Sequence, residues 1–129
     1  MGAFLVGRET AKRMLPRQRG TIIYTGASAS IRGRAGFSAF SGAMQAKRAL
    51  AQSMARELGP QGIHVAHVIV DGAIDNDATR ERFPEWFETR PEDGIMKPDD
   101  LAELFWHLHQ QPRSAWTFEM DARPYVEPW

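Results

Sequence analysis

The sequence contains no cysteine among its 129 residues, which excludes disulfide bonds and thiol chemistry. Zinc sites built from cysteine ligands are excluded for the same reason. No apolar run approaches the roughly 20 residues of a membrane span, and no basic segment followed by an apolar core marks a secretion signal. We therefore expect a soluble protein with no membrane partner. A chain without cysteine also fits the reducing cytoplasm, so a cytoplasmic location is expected.

The sequence also lacks an excess of charge of either sign. Lys and Arg together number 16, Asp and Glu together number 16, and the two signs are interspersed. Because a nucleic-acid-binding protein usually carries a basic excess or a basic stripe, we expect no nucleic-acid partner. The length suits a single domain over residues 1–129, which can bury about two-thirds of the surface that its unfolded chain exposes.

The histidines are not spaced as metal ligands. His64 and His67 are three residues apart in a predicted strand and point to opposite faces, whereas His107 and His109 fall on different sides of a predicted helix. The aspartates of DGAIDND lack the spacing of a calcium loop and are typical of caps and turns. We expect no metal site.

Hydrophobic periodicity predicts helices alternating with short strands. The predicted helices cover 3–15, 38–58 and 98–110, and the predicted strands cover 21–25, 63–70 and 115–120. Pro and Gly end the first helix, Gly59-Pro60 ends the second, and Ser38 or Ser41 is a candidate cap for its start. The order α-β-α-β-α-β indicates an α/β fold with a three-stranded parallel sheet and right-handed connections.

The long segment over 71–97 is predicted to be mostly irregular, with one short helix near 84–89. A loop of that length in a small domain is usually functional, so we interpret it as a lid-like loop. Its aromatic residues, Phe83, Trp86 and Phe87, either line a substrate pocket or pack the loop against the domain.

Three segments match, in order and at the expected distances, the C-terminal half of one enzyme family. They read GTIIYTGASAS, GFSAFSGAMQAKRALAQSMARELGPQGIHV and VDGAID. Over nearly its whole length the chain resembles the short-chain dehydrogenase/reductase family, with a C-terminal tail like that of a divergent branch. The resemblance implies a partial Rossmann-like fold of three layers. It also implies an oxidoreductase that uses NAD or NADP, and a half-sheet equivalent to the family's fifth, sixth and seventh strands.

The resemblance further implies where the catalytic residues of the family would lie. The family uses a Ser, a Tyr and a Lys four residues after the Tyr. The Lys cation lowers the pKa of the phenol, which otherwise titrates at about 10. The matching positions here hold Ala27, Phe40 and Met44. Since none of these side chains can carry a proton or a charge, we expect no catalytic residue at these positions.

Nearby groups offer partial replacements for the missing chemistry. Ser28 and Ser30 follow the first strand, Lys47 lies on the helix that follows, and Tyr24 lies within the strand. The alternative interpretation makes the serines loop hydroxyls, Lys47 a solvated surface charge and Tyr24 a core residue. Ser28 is kept as a weak candidate for a substrate pocket.

The nicotinamide contacts of the family follow its sixth strand. Gly72 and Ile74 match the family pattern there, whereas Asp71 replaces a Pro and Asn76 replaces a Thr. An Asp near a pyrophosphate would be repulsive, so Gly72 and Ile74 are only weak candidates for contacts to NAD or NADP. The glycine-rich turn that holds the pyrophosphate belongs to the family's N-terminal half, which the sequence does not match. We therefore expect the chain alone to bind the cofactor poorly.

Three functional hypotheses are open. The first is an oxidoreductase fragment that does not transfer hydride by itself. The second is a non-catalytic scaffold or oligomerising protein, in effect a pseudoenzyme, and the third is a truncated gene product with no selected role. We also expect a homo-oligomer, formed through the helices at 3–15 and 38–58 or through the edge of the 21–25 strand, because an open apolar edge invites another chain.

Overall fold

A computed structural model describes residues 1–128 of the chain. The helices are α1 (Gly2–Met14), α2 (Ser38–Leu58), α3 (Asp77–Arg82), α4 (Pro84–Thr89) and α5 (Pro98–Gln110), and the strands are β1 (Gly20–Ala27), β2 (Ile63–Val70) and β3 (Glu119–Ala122). Short 3₁₀ turns at Leu15–Arg17, Ser28–Ser30, Gly59–Gln61 and Arg113–Ala115 connect several of these elements.

The three strands form one parallel sheet in the order β1-β2-β3, as the alternating pattern predicts. β2 is the central strand: Gly20 pairs with Ile63 at one end of the β1–β2 ladder, and His67 pairs with Glu119 where β3 begins. All eight residues of β2 are buried. Burial on both faces explains why this strand is almost continuously apolar and does not alternate.

Helices cover both faces of the sheet, which makes the predicted three-layer α/β arrangement correct. On one face, side chains of α1 and α2 pack against β1 and the first half of β2. The buried members of this cluster are Ala11, Ile22, Tyr24, Ala51, Met54, Leu58, Ile63 and Val65. On the other face, Leu108 of α5 is fully buried against Ala66, Val68 and Val70. The alternate residues of β2 thus belong to two separate cores.

The predicted third strand over 115–120 is wrong in position, because β3 spans Glu119–Ala122. Residues 113–115 form a 3₁₀ turn, and the residues that follow are extended. Side-chain contacts fix these residues in place, without the backbone hydrogen bonds that pair a strand with its neighbour. Trp116 stacks on His64 with ring centroids 4.9 Å apart, and the Thr117 amide donates to Oε1 of Gln111 at 2.8 Å. Apolar and β-branched composition cannot distinguish such a connection from a paired strand.

The other predicted boundaries are closer to the structure. α2, β2 and α5 begin and end where predicted, and β1 extends the predicted 21–25 strand by one residue before it and two after it. α1 ends one residue earlier than predicted, at Met14, because Pro16 lies in a 3₁₀ turn. Neither candidate serine caps α2: Phe37 occupies the N-cap position without a side-chain bond, and the Ser41 hydroxyl has no hydrogen-bond partner among residues 1–128.

The segment over 71–97 is less irregular than predicted, because it contains α3 as well as the predicted α4. Asn76 caps α3, its Oδ1 accepting from the Thr79 amide at 2.9 Å, and Pro84 occupies the first turn of α4. The rings of Phe83 and Trp86 stack with centroids 4.2 Å apart. Two short helices of six residues each therefore occupy a little under half of this segment.

None of the helices within residues 1–128 combines the length and the apolar character that crossing a membrane requires. In the same part of the chain, no group of three or more His, Asp or Glu side chains is arranged to hold a metal ion.

Candidate active site

The carboxyl ends of the three strands meet at one edge of the sheet, which is where open parallel sheets bind ligands. Ala27 ends β1, Asp71 follows β2 and Arg123 follows β3. The strand register places Ala27 beside Val70, so the segments that leave β1 and β2 start next to each other. The positions near residues 27 and 71 are therefore brought together.

A cavity of about 320 Å³ lies between the turn that follows β1 and the start of α2. Ser28 and Phe40 both line it, together with Arg32, Arg34 and Ser41. The Phe40 ring is 49 % exposed, although its helical spacing assigns it to the apolar stripe of α2. The weak substrate candidate Ser28 and the position of the family tyrosine thus share one cavity.

The residues at the three family catalytic positions supply no reactive group to this cavity. Ala27 ends in a methyl group, Phe40 in a hydrocarbon ring, and Met44, half-buried one turn further along α2, in a thioether. None of these groups titrates or donates a proton in water. The polar residues that line the cavity are Ser28, Ser41, Arg32, Arg34 and Glu127.

The other nearby groups lie elsewhere in the molecule. Ser30 is buried, and its Oγ accepts from the Ala27 amide at 3.1 Å. Lys47 lines a different cavity, beside β1 and α1. Tyr24 belongs to the core, with its hydroxyl 3.0 Å from Sδ of Met54, and burial raises the pKa of this phenol. A raised pKa is the opposite of what a tyrosine acid/base needs near neutral pH.

Asp71 forms a buried ion cluster that the sequence does not reveal. Its carboxylate is buried, with Oδ2 at 3.1 Å from Nη2 of Arg32 and 3.3 Å from Nη2 of Arg123. The Asp71 amide also donates to the Ala122 carbonyl at 2.8 Å. The cluster ties the ends of all three strands together, which gives Asp71 a structural role at the position where the family has a Pro.

The weak cofactor candidates Gly72 and Ile74 pack against protein. A Cβ added to Gly72 would lie 2.6 Å from Cδ of Pro124 and 3.4 Å from Sδ of Met96. Ile74 forms an isolated parallel bridge with Met96 and packs against the core on the α5 side. The space at Gly72 is therefore filled by side chains of this chain.

A second buried cluster, which the sequence does not reveal either, links α2 to the sheet. Nδ1 of the fully buried His67 donates to Oε2 of Glu119 at 2.9 Å, and Glu119 accepts two bonds of 2.7 Å from Arg48. Arg48 holds the pKa of Glu119 below its usual value, while burial lowers the pKa of His67. The histidine at position 67, within the mostly apolar strand β2, is the signal in the sequence, but nothing there pairs it with Glu119 or Arg48.

The His67 cluster has no access for a substrate. A Cβ at Gly26 would contact Nε2 of His67 and would lie 2.7 Å from Oγ of Ser30, so Ser30 and His67 face each other across this glycine. A Ser, a His and a Glu in one place suggest a nucleophilic triad. However, Ser30 is 1 % exposed and His67 is completely buried, so the arrangement serves packing and not catalysis.

Comparison with known proteins places the chain among oxidoreductases. The family profile for short chain dehydrogenase matches residues 1–85. A short-chain dehydrogenase from Rhodopseudomonas palustris is 46 % identical over 95 % of this chain and 47 % of its own, with a TM-score of 0.73. A search of curated proteins finds no match.

More distant solved structures share the fold. A serine dehydrogenase complexed with NADP+ superposes with a TM-score of 0.84 at 17 % identity, over 99 % of this chain and 53 % of its own. A 4-hydroxyisoleucine dehydrogenase complexed with NADH gives 0.71 at 23 % identity, over 96 % and 55 %. This chain spans about half the length of each of these structures.

Proposed function

This chain belongs to the short-chain dehydrogenase family. From that premise we propose that it forms the part of an oxidoreductase fold that carries the family's catalytic positions. On the same proposal, the chain does not transfer hydride by itself. In the whole family fold, NAD or NADP would be the redox partner. On this proposal, the chain corresponds to the family's C-terminal half.

The observation that carries this proposal is the chemistry of the cavity beside Phe40. Reduction of a carbonyl by a nicotinamide needs a proton donor next to the reacting oxygen, and loss of such a group typically costs about 10²- to 10⁴-fold in rate. Ala27, Phe40 and Met44 supply no donor, and Tyr24 and Lys47 are held away from the cavity that Phe40 lines. Ser28 and Ser41 are the remaining hydroxyls that line the cavity, and an aliphatic hydroxyl is a much weaker acid than a tyrosine phenol.

The packing around Gly72 supports weak cofactor binding by this chain. Pro124 and Met96 fill the space next to the Gly72 α-carbon, and the buried Asp71 precedes it in the chain. The chain therefore contributes scaffold and cavity walls, and on this proposal the dinucleotide contacts come from residues outside this segment.

Cofactor titration tests the proposal directly. NADPH and NADH are added to the purified chain while nicotinamide fluorescence and tryptophan quenching are followed. We expect no saturable signal up to millimolar cofactor. Saturable binding of either dinucleotide in the micromolar range would contradict the proposal, because it would show that residues 1–129 hold the cofactor unaided.

A triple variant separates the missing catalytic groups from the missing cofactor contacts. Ala27→Ser, Phe40→Tyr and Met44→Lys together restore the family residues at the matching positions. We expect this variant to remain inactive towards a panel of ketones with NADPH or NADH, because nothing in the chain positions the cofactor. Turnover by the triple variant, with none by the unmodified chain, would show that cofactor binding was present all along.

A non-catalytic oligomerising role is the second candidate, favoured by exposed apolar surface around α1. Phe4, Leu5 and Val6 are 48 %, 42 % and 69 % exposed. Val6 and Ile23 also line a cavity of about 310 Å³ beside β1, whose outer edge pairs with no other strand within residues 1–128. Exposed apolar residues next to an open strand edge favour association with another copy of the chain.

A further inference from the structure

The C-terminal tail, residues 123–128, crosses the carboxyl edge of the sheet and reaches the candidate active site. It follows β3, and Glu127 near its end lines the cavity beside Phe40. The other lining residues that the structure describes there all come from 28–41, so Glu127 is the contribution of the tail to the cavity wall. The position of the tail therefore decides how far this wall is closed.

The start of the tail is firmly attached. Nη2 of Arg123 lies 3.3 Å from Oδ2 of Asp71, and these two side chains are only 10 % and 5 % exposed. Pro124 is buried and fills the space beside Gly72, where an added Cβ would lie 2.6 Å from Cδ of the proline ring. The Ala122 carbonyl, just before the tail, accepts from the Asp71 amide at 2.8 Å. Breaking a buried ion pair is costly, so the tail is fixed as far as Pro124.

The far end of the tail is held by an ion pair that water reaches. Nη1 of Arg90 donates to Oε2 of Glu127 at 2.9 Å, and the two side chains are 26 % and 20 % exposed. The Glu127 amide donates to the Pro124 carbonyl at 3.0 Å, which is a contact within the tail itself. Tyr125 and Val126, between the two ends, are exposed and bury little apolar surface. Because a partly exposed ion pair is weak, this end of the tail is the one that can detach.

Arg90 is positioned for this ion pair by contacts outside the tail. Its Nη1 also donates to the Gly94 carbonyl at 3.0 Å, and its guanidinium carbon lies 5.2 Å from the centroid of the Trp86 ring. The Trp86 ring in turn stacks on Phe83. These contacts do not involve Glu127, so the cation stays in place when the tail leaves, and the ion pair can re-form.

From this geometry we propose that the tail closes the candidate active site and that breaking the ion pair between Arg90 and Glu127 opens it. Residues 125–128 then move away from the cavity about the fixed Pro124, and Ser28 becomes more accessible. Since salt screens a partly exposed ion pair, ionic strength shifts the balance towards the open form. The proposal rests on the function proposed above for the identity of the site, and it concerns the regulation of access to that site.

A single engineered thiol measures this opening. Because the chain has no cysteine, Ser28→Cys places one thiol in the cavity wall, and its rate of reaction with N-ethylmaleimide reports access. Adding Glu127→Gln should raise the rate about two- to fivefold, the range expected for loss of a partly exposed ion pair. Glu127→Arg should raise it further, because like charges then face each other. Combining Arg90→Glu with Glu127→Arg should restore the slow rate.

Three controls separate opening of the cavity from other effects. Asp75→Asn removes an ion pair of the same kind, with Arg80, from the segment that also carries Arg90, and it should leave the rate unchanged. Ala11→Cys, a buried position on α1, should react equally slowly with and without Glu127→Gln, which excludes a general loosening of the fold. Limiting rates at high pH are compared, because the thiolate is the reacting form and loss of the Glu127 charge also affects the pKa of the thiol.

Salt dependence completes the test. Added salt should accelerate the reaction of Ser28→Cys in the otherwise unmodified chain and should leave the rate in the Glu127→Gln background nearly constant. The proposal would be overturned by equal rates with and without Glu127→Gln, by equal acceleration from Asp75→Asn, or by a charge-exchanged chain that reacts as fast as Glu127→Arg alone. The reaction is measured without cofactor, so the cofactor titration described above decides the proposed function separately.

Discussion

At the scale of single residues, His67 shows how burial and an ion pair act on one imidazole in opposite directions. The ring is fully buried, which favours the uncharged form, while Glu119 at 2.9 Å favours the charged form. Burial is the larger effect, so the pKa of His67 lies below its ordinary value. Arg48 weakens the influence of Glu119 because it engages both carboxylate oxygens.

The lowered pKa of His67 predicts a loss of stability in mild acid. The unfolded chain takes up a proton near its ordinary pKa of about 6.5, while the folded chain resists it until a lower pH. The stabilising contribution is therefore complete above about pH 6.5 and is lost as the pH falls through the lowered pKa, with a slope of at most about 1.4 kcal/mol per pH unit. Urea unfolding between about pH 7 and 5 measures this slope.

His67→Gln should flatten that slope, and His107→Gln should leave it unchanged, because His107 is exposed on α5. A slope unaffected by His67→Gln would refute this assignment.

Glu119 affects stability at lower pH than His67 does. Its pKa is depressed chiefly by Arg48, so its contribution to the free energy of unfolding is present above pH 4.5 and is lost as the pH falls through the depressed value.

At the scale of elements, the packing of α1 depends on a glycine. Gly7 is buried where α1 crosses β1 and α2, and a Cβ there would overlap the Tyr24 hydroxyl and lie 3.1 Å from Sδ of Met54. Gly42 of α2 is exposed, with no atom within 4 Å of an added Cβ. The two glycines are both helical and differ in packing, which makes them a matched pair.

Alanine substitution should have opposite effects at these two sites. Gly42→Ala should raise the free energy of unfolding by about 0.5–1 kcal/mol, since Gly costs more backbone entropy in a helix. Gly7→Ala should lower it by about 1–3 kcal/mol through overpacking. Chemical denaturation measures both, and adding Tyr24→Phe should partly rescue Gly7→Ala. Equal effects at the two positions would mean that α1 does not pack as described.

At the scale of the whole molecule, the outer edge of β1 and the nearby apolar face of α1 are left uncovered within residues 1–128. β1 pairs only with β2 within residues 1–128, and the nearby start of α1 exposes apolar side chains. On the oligomerisation proposal, these two features meet the same features of a second copy. A symmetric dimer would bury both at once.

Sedimentation velocity at micromolar concentration should therefore show a species larger than the monomer. Val6→Glu should shift the population towards monomer, because a charge on this 69 % exposed position opposes burial at an interface. Val126→Glu is the control, since Val126 is also exposed but lies in the C-terminal tail. A purely monomeric protein, or identical shifts in both variants, would exclude association through α1.

Much of the architecture was predictable because it depends on patterns local in sequence. The helix at 38–58 and the strand at 63–70 carry long, consistent hydrophobic periods, and both lie at the predicted positions. The third strand was misplaced since pairing with His67 and Val68 of β2, and not local composition, decides that β3 starts at Glu119.

The sequence by itself determined the α/β order and the family, because both follow from residue types and their spacing. Only the tertiary structure decided that Asp71 is paired with Arg32 and Arg123, that Pro124 fills the space beside Gly72, and that His67 is paired with Glu119. These features join side chains that are far apart along the chain, and the free energies of burial and ion pairing depend on distances that exist only once the chain is folded.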